Sequence, residues 1–547
     1  MSRYLIHLFA ICAAALIQAG CAPAVTPPRL VVVVVVDQMR ADYLDRFGTV
    51  FTGGLARLMR DGAVWTNVHH DHAITTTSPG QATLATGVHP SRSGIVGNEW
   101  YDRSARRYVY SVADSTARLV GSPADSGRSP RQLLRATVGD WLKAQSWKSK
   151  VFSVALKDRT AILMGGLRAD GVYWYNRRNG RIVTSTYYRE EYPSWVTQFN
   201  VTHPPEAFFG TTWDRMLDPD AYGASREDAF AGEHDGQHTT FPHLIGGSEP
   251  APTEWYFRYT FPRTPLADEH MLMFARQLVI AEDLGSDGNP DILFVGCSAA
   301  DFIGHLYGPL SQEVQDYYLR LDRALGEFFD FLDDRVGRDN YVVVLSSDHG
   351  VLLLPQELWR QGKEAGRIRG TELSAVAQAA AARAAGDLGL ASPPRVRRNW
   401  LQFVFEFDDA DDTVHRAALG RAVAAALKAL PQVHEAYTYE DLTARYTTDQ
   451  REYIEAYRHS SHPDRTADIT LQLELGYLVT SSSSRTSHGS PYWYDSHVPL
   501  IVAGRAVRPG IHEEPRFTVD VAPTIAALLG VAIPDDLDGR SLDLISR

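Results

Sequence analysis

Leu30-Val31-Val32-Val33-Val34-Val35-Val36 runs without a polar residue into Asp37. Strongly β-forming residues with no polar alternation describe a strand covered on both faces, as in a parallel sheet flanked by helices. Asp37 then stands at the strand's carboxyl end, the edge where α/β sheets carry their ligands. An Asp there can equally cap a helix opening at Gln38-Met39-Arg40, and the stretch alone leaves the two readings level.

Outward from this strand the same grammar repeats. Apolar runs at Val151 to Leu156, Asp291 to Val295 and Tyr341 to Leu345 each empty into polar chemistry: Lys157-Asp158-Arg159, Ser298-Ala299-Ala300-Asp301-Phe302-Ile303-Gly304-His305, and Ser346-Ser347-Asp348-His349-Gly350. Parallel strands bring their carboxyl ends to one edge, so residues hundreds of positions apart can meet there. Asp301 and His305 share a helical face at their spacing. Two cations one residue apart, Lys157 and Arg159, can point at one anion, although surface ion pairing is the commoner meaning of such a pattern.

Short strands are expected near Ala63 to Trp65 and Pro499 to Ala503. Helices are expected at Gly54 to Met59, from Ser129-Pro130 to about Lys143, at Pro265 to Leu284, at Ser311 to Val336 and at Thr518 to Leu529. In the fourth, Val314, Leu321, Leu325, Phe328 and Leu332 form a buried stripe. The fold class is therefore α/β, a mostly parallel central sheet sandwiched between helices, in one domain over 25–547. Two large insertions interrupt it. One, about 166–262, is dense in Trp and Tyr and is expected to cover the sheet edge or the site. The other, about 351–470, holds Ala-rich helices at Thr371 to Ala385 and Asp412 to Leu430, after which the sheet is expected to resume over Ile469 to Val479.

The stretch Ile74-Thr75-Thr76-Thr77-Ser78-Pro79-Gly80-Gln81 reads as a loop delivering a hydroxyl to the start of a helix. Unpaired N–H groups and the helix dipole favour an anion at such a place. A plain N-cap is the commoner reading of the segment by itself. Spacing alone leaves Thr76, Thr77 and Ser78 in competition for the role of nucleophile.

Composition excludes several classes. The 547 residues are 44% hydrophobic and 22% charged, with net charge −12 and no long Lys/Arg run, so nucleic-acid binding is not expected. No coiled coil or apolar stripe points to a protein partner. Arg3, the apolar run Leu5 to Ile17 and Gly20-Cys21-Ala22-Pro23-Ala24 make residues 1–24 a signal peptide, implying export to a periplasm. The Ala19-Gly20-Cys21 ending resembles a bacterial lipoprotein signal, with a lipid anchor through Cys21. Gln18 stands where that pattern wants an aliphatic residue, so simple cleavage is the alternative. With Cys12, Cys21 and Cys297 as the chain's cysteines, a disulfide framework is excluded.

Together these motifs resemble the alkaline phosphatase superfamily, and within it the phosphate-irrepressible alkaline phosphatases, periplasmic monoesterases with a Thr nucleophile. The resemblance spans nearly the whole mature chain. It is carried by Val35-Val36-Asp37-Gln38-Met39-Arg40, Thr77-Ser78-Pro79-Gly80, Gly97-Asn98-Glu99-Trp100-Tyr101-Asp102, Leu156-Lys157-Asp158-Arg159, Asp301 to His305, Ser347-Asp348-His349-Gly350 and Ser487-His488-Gly489-Ser490-Pro491-Tyr492. Gln81 departs from the pattern, whose members often have His there. The resemblance implies two Zn²⁺, one on Asp301, His305 and His488, the other on Asp37, Asp348 and His349 with Thr77 at its open position. It selects Thr77 as nucleophile, and Asn98, Lys157 and Arg159 to hold the non-bridging oxygens of small phosphate esters. Cations so placed reward a monoester dianion more than a singly charged diester.

Three rivals frame this expectation. A nucleotide pyrophosphatase/phosphodiesterase shares both metal sets, the Thr and the Asn, but is expected to lack the Lys-x-Arg pair; the aromatic insertion keeps it in play. A sulfatase needs Cys or Ser where Thr77 stands and Arg where Gln81 stands. A non-catalytic periplasmic zinc- or phosphate-binding protein would lack a catalytic group, and none is missing. His69, His70 and His72 match no ligand motif; His89 is read as a loop residue, His459 and His462 as solvated, and His497 as support for the neighbouring strand.

Overall fold

The computed structural model describes residues 26–246, 250–408, 414–444, 448–480 and 484–544. The signal segment 1–24, and Cys21 within it, lies outside the described residues, as do Ser481 to Ser483 and the expected helix start at Asp412.

A ten-stranded sheet forms the centre: β1 (Leu30–Val36), β2 (Gly62–His69), β3 (Val151–Ala155), β4 (Gly171–Tyr175), β5 (Ile182–Val183), β6 (Asp291–Cys297), β7 (Tyr341–Ser346), β8 (His497–Gly504), β9 (Gly510–His512) and β10 (Arg516–Phe517). Their order is β9-β2-β8-β7-β1-β6-β3-β4-β5, with β10 also on β2. β7, β1, β6, β3 and β4 run parallel, whereas β8 is antiparallel to both β7 and β2. That reversal matters for the site. His488 precedes β8, so an antiparallel strand presents it at the same edge to which the parallel strands present their carboxyl ends.

The Val run explains the layering. Val32, Val34 and Val36 pack with Phe47, Leu278, Leu325 and Leu332 on one face, while Val31, Val33 and Val35 pack with Leu142, Ile525 and Leu529 on the other. Period-2 alternation divides one apolar strand between two cores, and burying each such side chain stabilises the fold by roughly 1.5–3 kcal/mol. The helix Gln312–Arg335 buries Val314, Leu321, Leu325, Phe328 and Leu332, the stripe read from sequence.

Three local expectations are corrected. The helix expected from Pro130 starts at Val138: Thr137 and Asp140 form a reciprocal capping box, a stronger start signal than Pro at a first turn. The sheet does not stop at 166, because β4 and β5 extend it through residues 171–183. Ile469–Leu473 does not rejoin the central sheet. It pairs with Gln402–Glu406 and Val433–Thr438 in a separate four-stranded sheet, whose core with the helices Gly370–Asp387 and Arg416–Lys428 contains Leu373, Phe403, Leu419, Val423 and Leu471. Alternation identifies a strand but not the sheet it joins.

Candidate active site

Each candidate side chain issues from the carboxyl edge described above. Asp37 ends β1, Lys157 and Arg159 follow β3, Asp301 and His305 ride the helix Ala299–Tyr307 after β6, and Asp348 and His349 follow β7. Thr77 is the first residue of the helix Thr77–Thr86. Thr76 occupies the N-cap position without a side-chain capping bond, so the hydroxyl cluster is not serving as a cap. The helix comes close because residue 80 is glycine: a Cβ there would run into the Asp348 carbonyl. The Pro-Gly pair thus sets Thr77 against the end of β7.

Lys157 Nζ lies 2.7 Å from Asp37 Oδ2, 2.6 Å from Asp301 Oδ2 and 3.5 Å from Thr77 Oγ1. Arg159 Nη2 is 3.2 Å from the same hydroxyl. Asn98 Oδ1 accepts from the Ser78 N–H at 2.8 Å, an anchor that leaves its NH₂ free to act as a donor in the inventory of an amide side chain. His305 Nε2 is 3.1 Å and His488 Nε2 3.5 Å from Asp301 Oδ1; His349 Nε2 is 3.5 Å from Asp37 and 3.7 Å from Asp348.

Two ligand groups emerge from this packing: Asp37, Asp348 and His349, and Asp301, His349 and His488. The first is the triad expected from sequence. The second brings His349, whose ring stacks on His488 at 3.5 Å, to Asp301 and His488, while His305 Nε2 stays 3.1 Å from Asp301 Oδ1. His305 stays beside them, its ring 5.1 Å from that of His488.

The donors suit a divalent metal such as Zn²⁺: carboxylate and imidazole, with no thiolate. The Nδ1 atoms of His305, His349 and His488 are held by the carbonyls of Thr486, Gly350 and Thr75 at 2.8, 3.0 and 2.8 Å. Such bonds fix the tautomer that presents Nε2 as the ligand. Asp37 Oδ1 and His349 Nε2 are buried without a hydrogen-bond partner among the described residues, as atoms reserved for a cation would be.

Electrostatics agree. Burial, with Asp348 nearby, pushes the Asp37 carboxyl well up despite Lys157; burial likewise moves Asp348 to about 7, opposed by Lys157. Burial acts on Asp301 too, but the charges of His305 and Lys157 hold it well below the carboxylate range. Burial and His488 depress His349.

Sequence reasoning missed several contributors. Gln38 donates from its backbone N–H to Asp348 Oδ1 at 3.2 Å and from its side chain to Asp301 Oδ1 at 2.7 Å. Its φ of 67° places a non-glycine residue in the left-handed region, the kind of local strain that accumulates at functional sites. Gln81 donates to Asp348 Oδ2 at 3.1 Å, so the departure from the family pattern has a defined partner. Tyr110 and Arg128 brace Asp158, which in turn accepts from the Arg159 N–H. Adjacency to Asp37 and to Arg159 was the available signal for Gln38 and Asp158.

The other histidines singled out from sequence lie among different partners. His69 stacks on His497 across β2 and β8, and His70 bonds the Ser347 carbonyl and Thr518. His462 sits in its loop, accepting from the Asp464 N–H. His459 is not solvated as expected: it is half-buried, stacked on His89 at 3.8 Å.

Comparisons with known proteins agree with this geometry. The family model for type I phosphodiesterase / nucleotide pyrophosphatase matches residues 31–494. The chain is 33% identical to alkaline phosphatase PhoV of Synechococcus elongatus over 96% of this chain and 94% of that one. It is 32% identical to alkaline phosphatase PafA of Elizabethkingia meningoseptica over 96% of both. The crystal structure of PafA superposes with a TM-score of 0.86, covering 96% of this chain and all of that one.

Proposed function

We propose for this chain, which belongs to the type I phosphodiesterase / nucleotide pyrophosphatase family of the alkaline phosphatase superfamily and is an alkaline phosphatase, a zinc-dependent monoester hydrolysis through a phospho-threonine at Thr77. The observation that carries this reading is the convergence of Lys157 and Arg159 on one hydroxyl, at 3.5 and 3.2 Å. Two cations at a nucleophile match the charge of a monoester dianion, which a diester lacks.

Thr77 Oγ attacks phosphorus in line, and the bond to the leaving alcohol breaks as the Oγ–P bond forms. Water then cleaves that second bond, releasing inorganic phosphate and restoring the hydroxyl. Lys157, Arg159 and the Asn98 amide hold the non-bridging oxygens throughout. Asp301, His305 and His488 would hold one Zn²⁺; Asp37, Asp348 and His349 would hold another beside Thr77. Bound zinc supplies Lewis-acid stabilisation of the attacking and leaving oxygens and lowers the pKa of a hydroxyl or water.

The second reading, a phosphodiesterase, is favoured by one observation: Trp174, Tyr175, Tyr259 and Phe302 line the cavity outside Thr77. Export to a periplasm, with or without an anchor at Cys21, rests on the signal pattern; no helix among the described residues is long and apolar enough to cross a membrane.

The deciding experiment compares kcat/KM of zinc-loaded protein for an aryl phosphate monoester and its matched diester. The proposal expects a monoester preference that collapses in Lys157→Ala/Arg159→Ala. A diester preference in the parent enzyme would move it to the phosphodiesterases. Zinc and phosphate binding without turnover of either would make it a binding protein.

A further inference from the structure

The cavity beside Thr77, ≈ 1350 Å³, has one wall in which cations and aromatic rings alternate. Lys157 Nζ lies 5.1 Å from the Phe302 ring centroid, and the Arg177 guanidinium 5.0 Å from the same ring. Arg177 also lies 5.6 Å from the Tyr259 ring, and Arg263 5.3 Å from it. Each ring is within cation–π reach of two cations, which places Arg177 no more than on the order of 10 Å from Lys157.

Arg177 and Arg263 have no carboxylate within ion-pair distance among the described residues. Arg177 instead spends its Nε and Nη2 on the Arg258 carbonyl, at 3.0 and 2.5 Å. Burial and the like charges of Arg159, Arg263 and Arg258 push its pKa down, the mark of a guanidinium held among cations. Elsewhere in the lining, Asp158 is paired with Arg128 and Asp114 with Arg131. Half-buried cations kept together without counterions lose free energy through mutual repulsion unless an anion joins them.

We propose that Arg177 and Arg263 form a second-anion subsite, so that the enzyme prefers phosphate monoesters whose leaving group carries a further phosphate. This rests on the monoesterase reading. The reacting phosphate sits on Lys157, Arg159 and Thr77, and the second phosphate lies along the ladder, screened from water on one side by Phe302 and Tyr259. An apolar or uncharged leaving group leaves the ladder unused.

The test measures phosphate release from glucose 1-phosphate, glucose 6-phosphate and glucose 1,6-bisphosphate at low and moderate ionic strength. The expected result is a kcat/KM for the bisphosphate at least tenfold above either monophosphate, a ratio that shrinks with added salt. The ratio should drop toward one in Arg177→Met, which keeps an apolar stem against Phe302, and in Arg263→Gln. If Arg177→Met does not fold, Arg263→Gln carries the comparison alone. Equal kcat/KM for all three substrates, or a ratio unmoved by the substitutions, overturns the subsite and leaves the phosphatase intact. Hydrolysis of none of the three, with zinc bound, overturns both.

Discussion

The Gln38 side chain donates to Asp301 Oδ1 at 2.7 Å, although the two residues follow different strands and, in the proposed assignment, Gln38 binds no metal itself. With its backbone N–H on Asp348, Gln38 ties together two carboxylates that the proposed assignment puts in different ligand sets. Gly304 leaves room for this, since a Cβ there would collide with the Gln38 amide. Gln38→Ala should lower metal affinity and kcat roughly 10–100-fold, the usual range for groups that orient ligands. Chelator competition checks this, and unchanged zinc affinity would reduce Gln38 to a packing residue.

What the sequence displays of this site follows from topology. Asp37, Asp301 and Asp348 are readable because each ends an apolar run, and parallel strands send such ends to one edge. Gln38 was not readable as a linker, because its role depends on a left-handed φ that a glutamine does not advertise. Arg177 was missed for a different reason: the Tyr- and Trp-rich segment around it reads as an insertion, yet it contains β4, which carries Arg177 to the site edge. That His349 lies close to both candidate groups goes with a ring stack on His488, a residue far along the chain, and no spacing encodes that.

Thr77 is the proposed site of phosphoryl transfer, and the partners of its hydroxyl are Lys157 and Arg159 of the same site, at 3.5 and 3.2 Å. Thr77→Ala should therefore fold normally while kcat falls on the order of 10³-fold or more, and Thr77→Ser should keep part of the rate. Acid quenching during turnover of a radiolabelled monoester should trap phospho-threonine in the parent enzyme and none in Thr77→Ala. Label on another residue would reassign the nucleophile.

Asp158 holds Arg159 by accepting its backbone N–H at 2.8 Å, while Tyr110 and Arg128 grip the same carboxylate at 2.6 and 2.7 Å. Asp158→Asn keeps the shape but removes the charge that Arg128 pairs with, letting the loop move. Because small displacements of a positioning group are expensive in rate, monoester kcat/KM should fall roughly tenfold or more. The diester rate should fall less, since a diester uses the Arg159 charge less; equal losses would show that Asp158 acts on folding instead.

His89 links the loop before Thr77 to the carboxyl-terminal segment, 2.7 Å from Asp71 and 3.2 Å from Asp538. Burial opposes its protonation, but hydrogen bonds to Asp538 and Asp71 and their charges raise its pKa to about 9. A raised folded pKa means that protonation favours the native state. The stabilisation is complete below the unfolded value near 6.5 and is lost as pH rises through about 9. From the size of that shift it amounts to about 3 kcal/mol. Tm should fall between pH 7 and pH 10 in the parent protein, and His89→Gln should be less stable at pH 7 with a flatter profile. Parallel profiles would mean that another group governs alkaline unfolding.

Asp37 and Asp348 lie together in the core, and burial raises both carboxyls, Asp348 to about 7. In protein stripped of metal, these raised values make proton binding stabilising. That stability is present at low pH and lost as pH climbs from the unfolded carboxylate value near 4 through about 7. A divalent ion replaces the proton as counter-charge, so adding Zn²⁺ should abolish this loss. At a hundredfold excess over Kd it should stabilise the native state by about 2.7 kcal/mol at pH 8. Asp348→Asn separates the two effects, because it removes a buried charge and a ligand at once. Without metal at pH 8 this variant should be at least as stable as the parent, yet its Tm should respond weakly to zinc. A full zinc response in Asp348→Asn would place the stabilising ion elsewhere in the molecule.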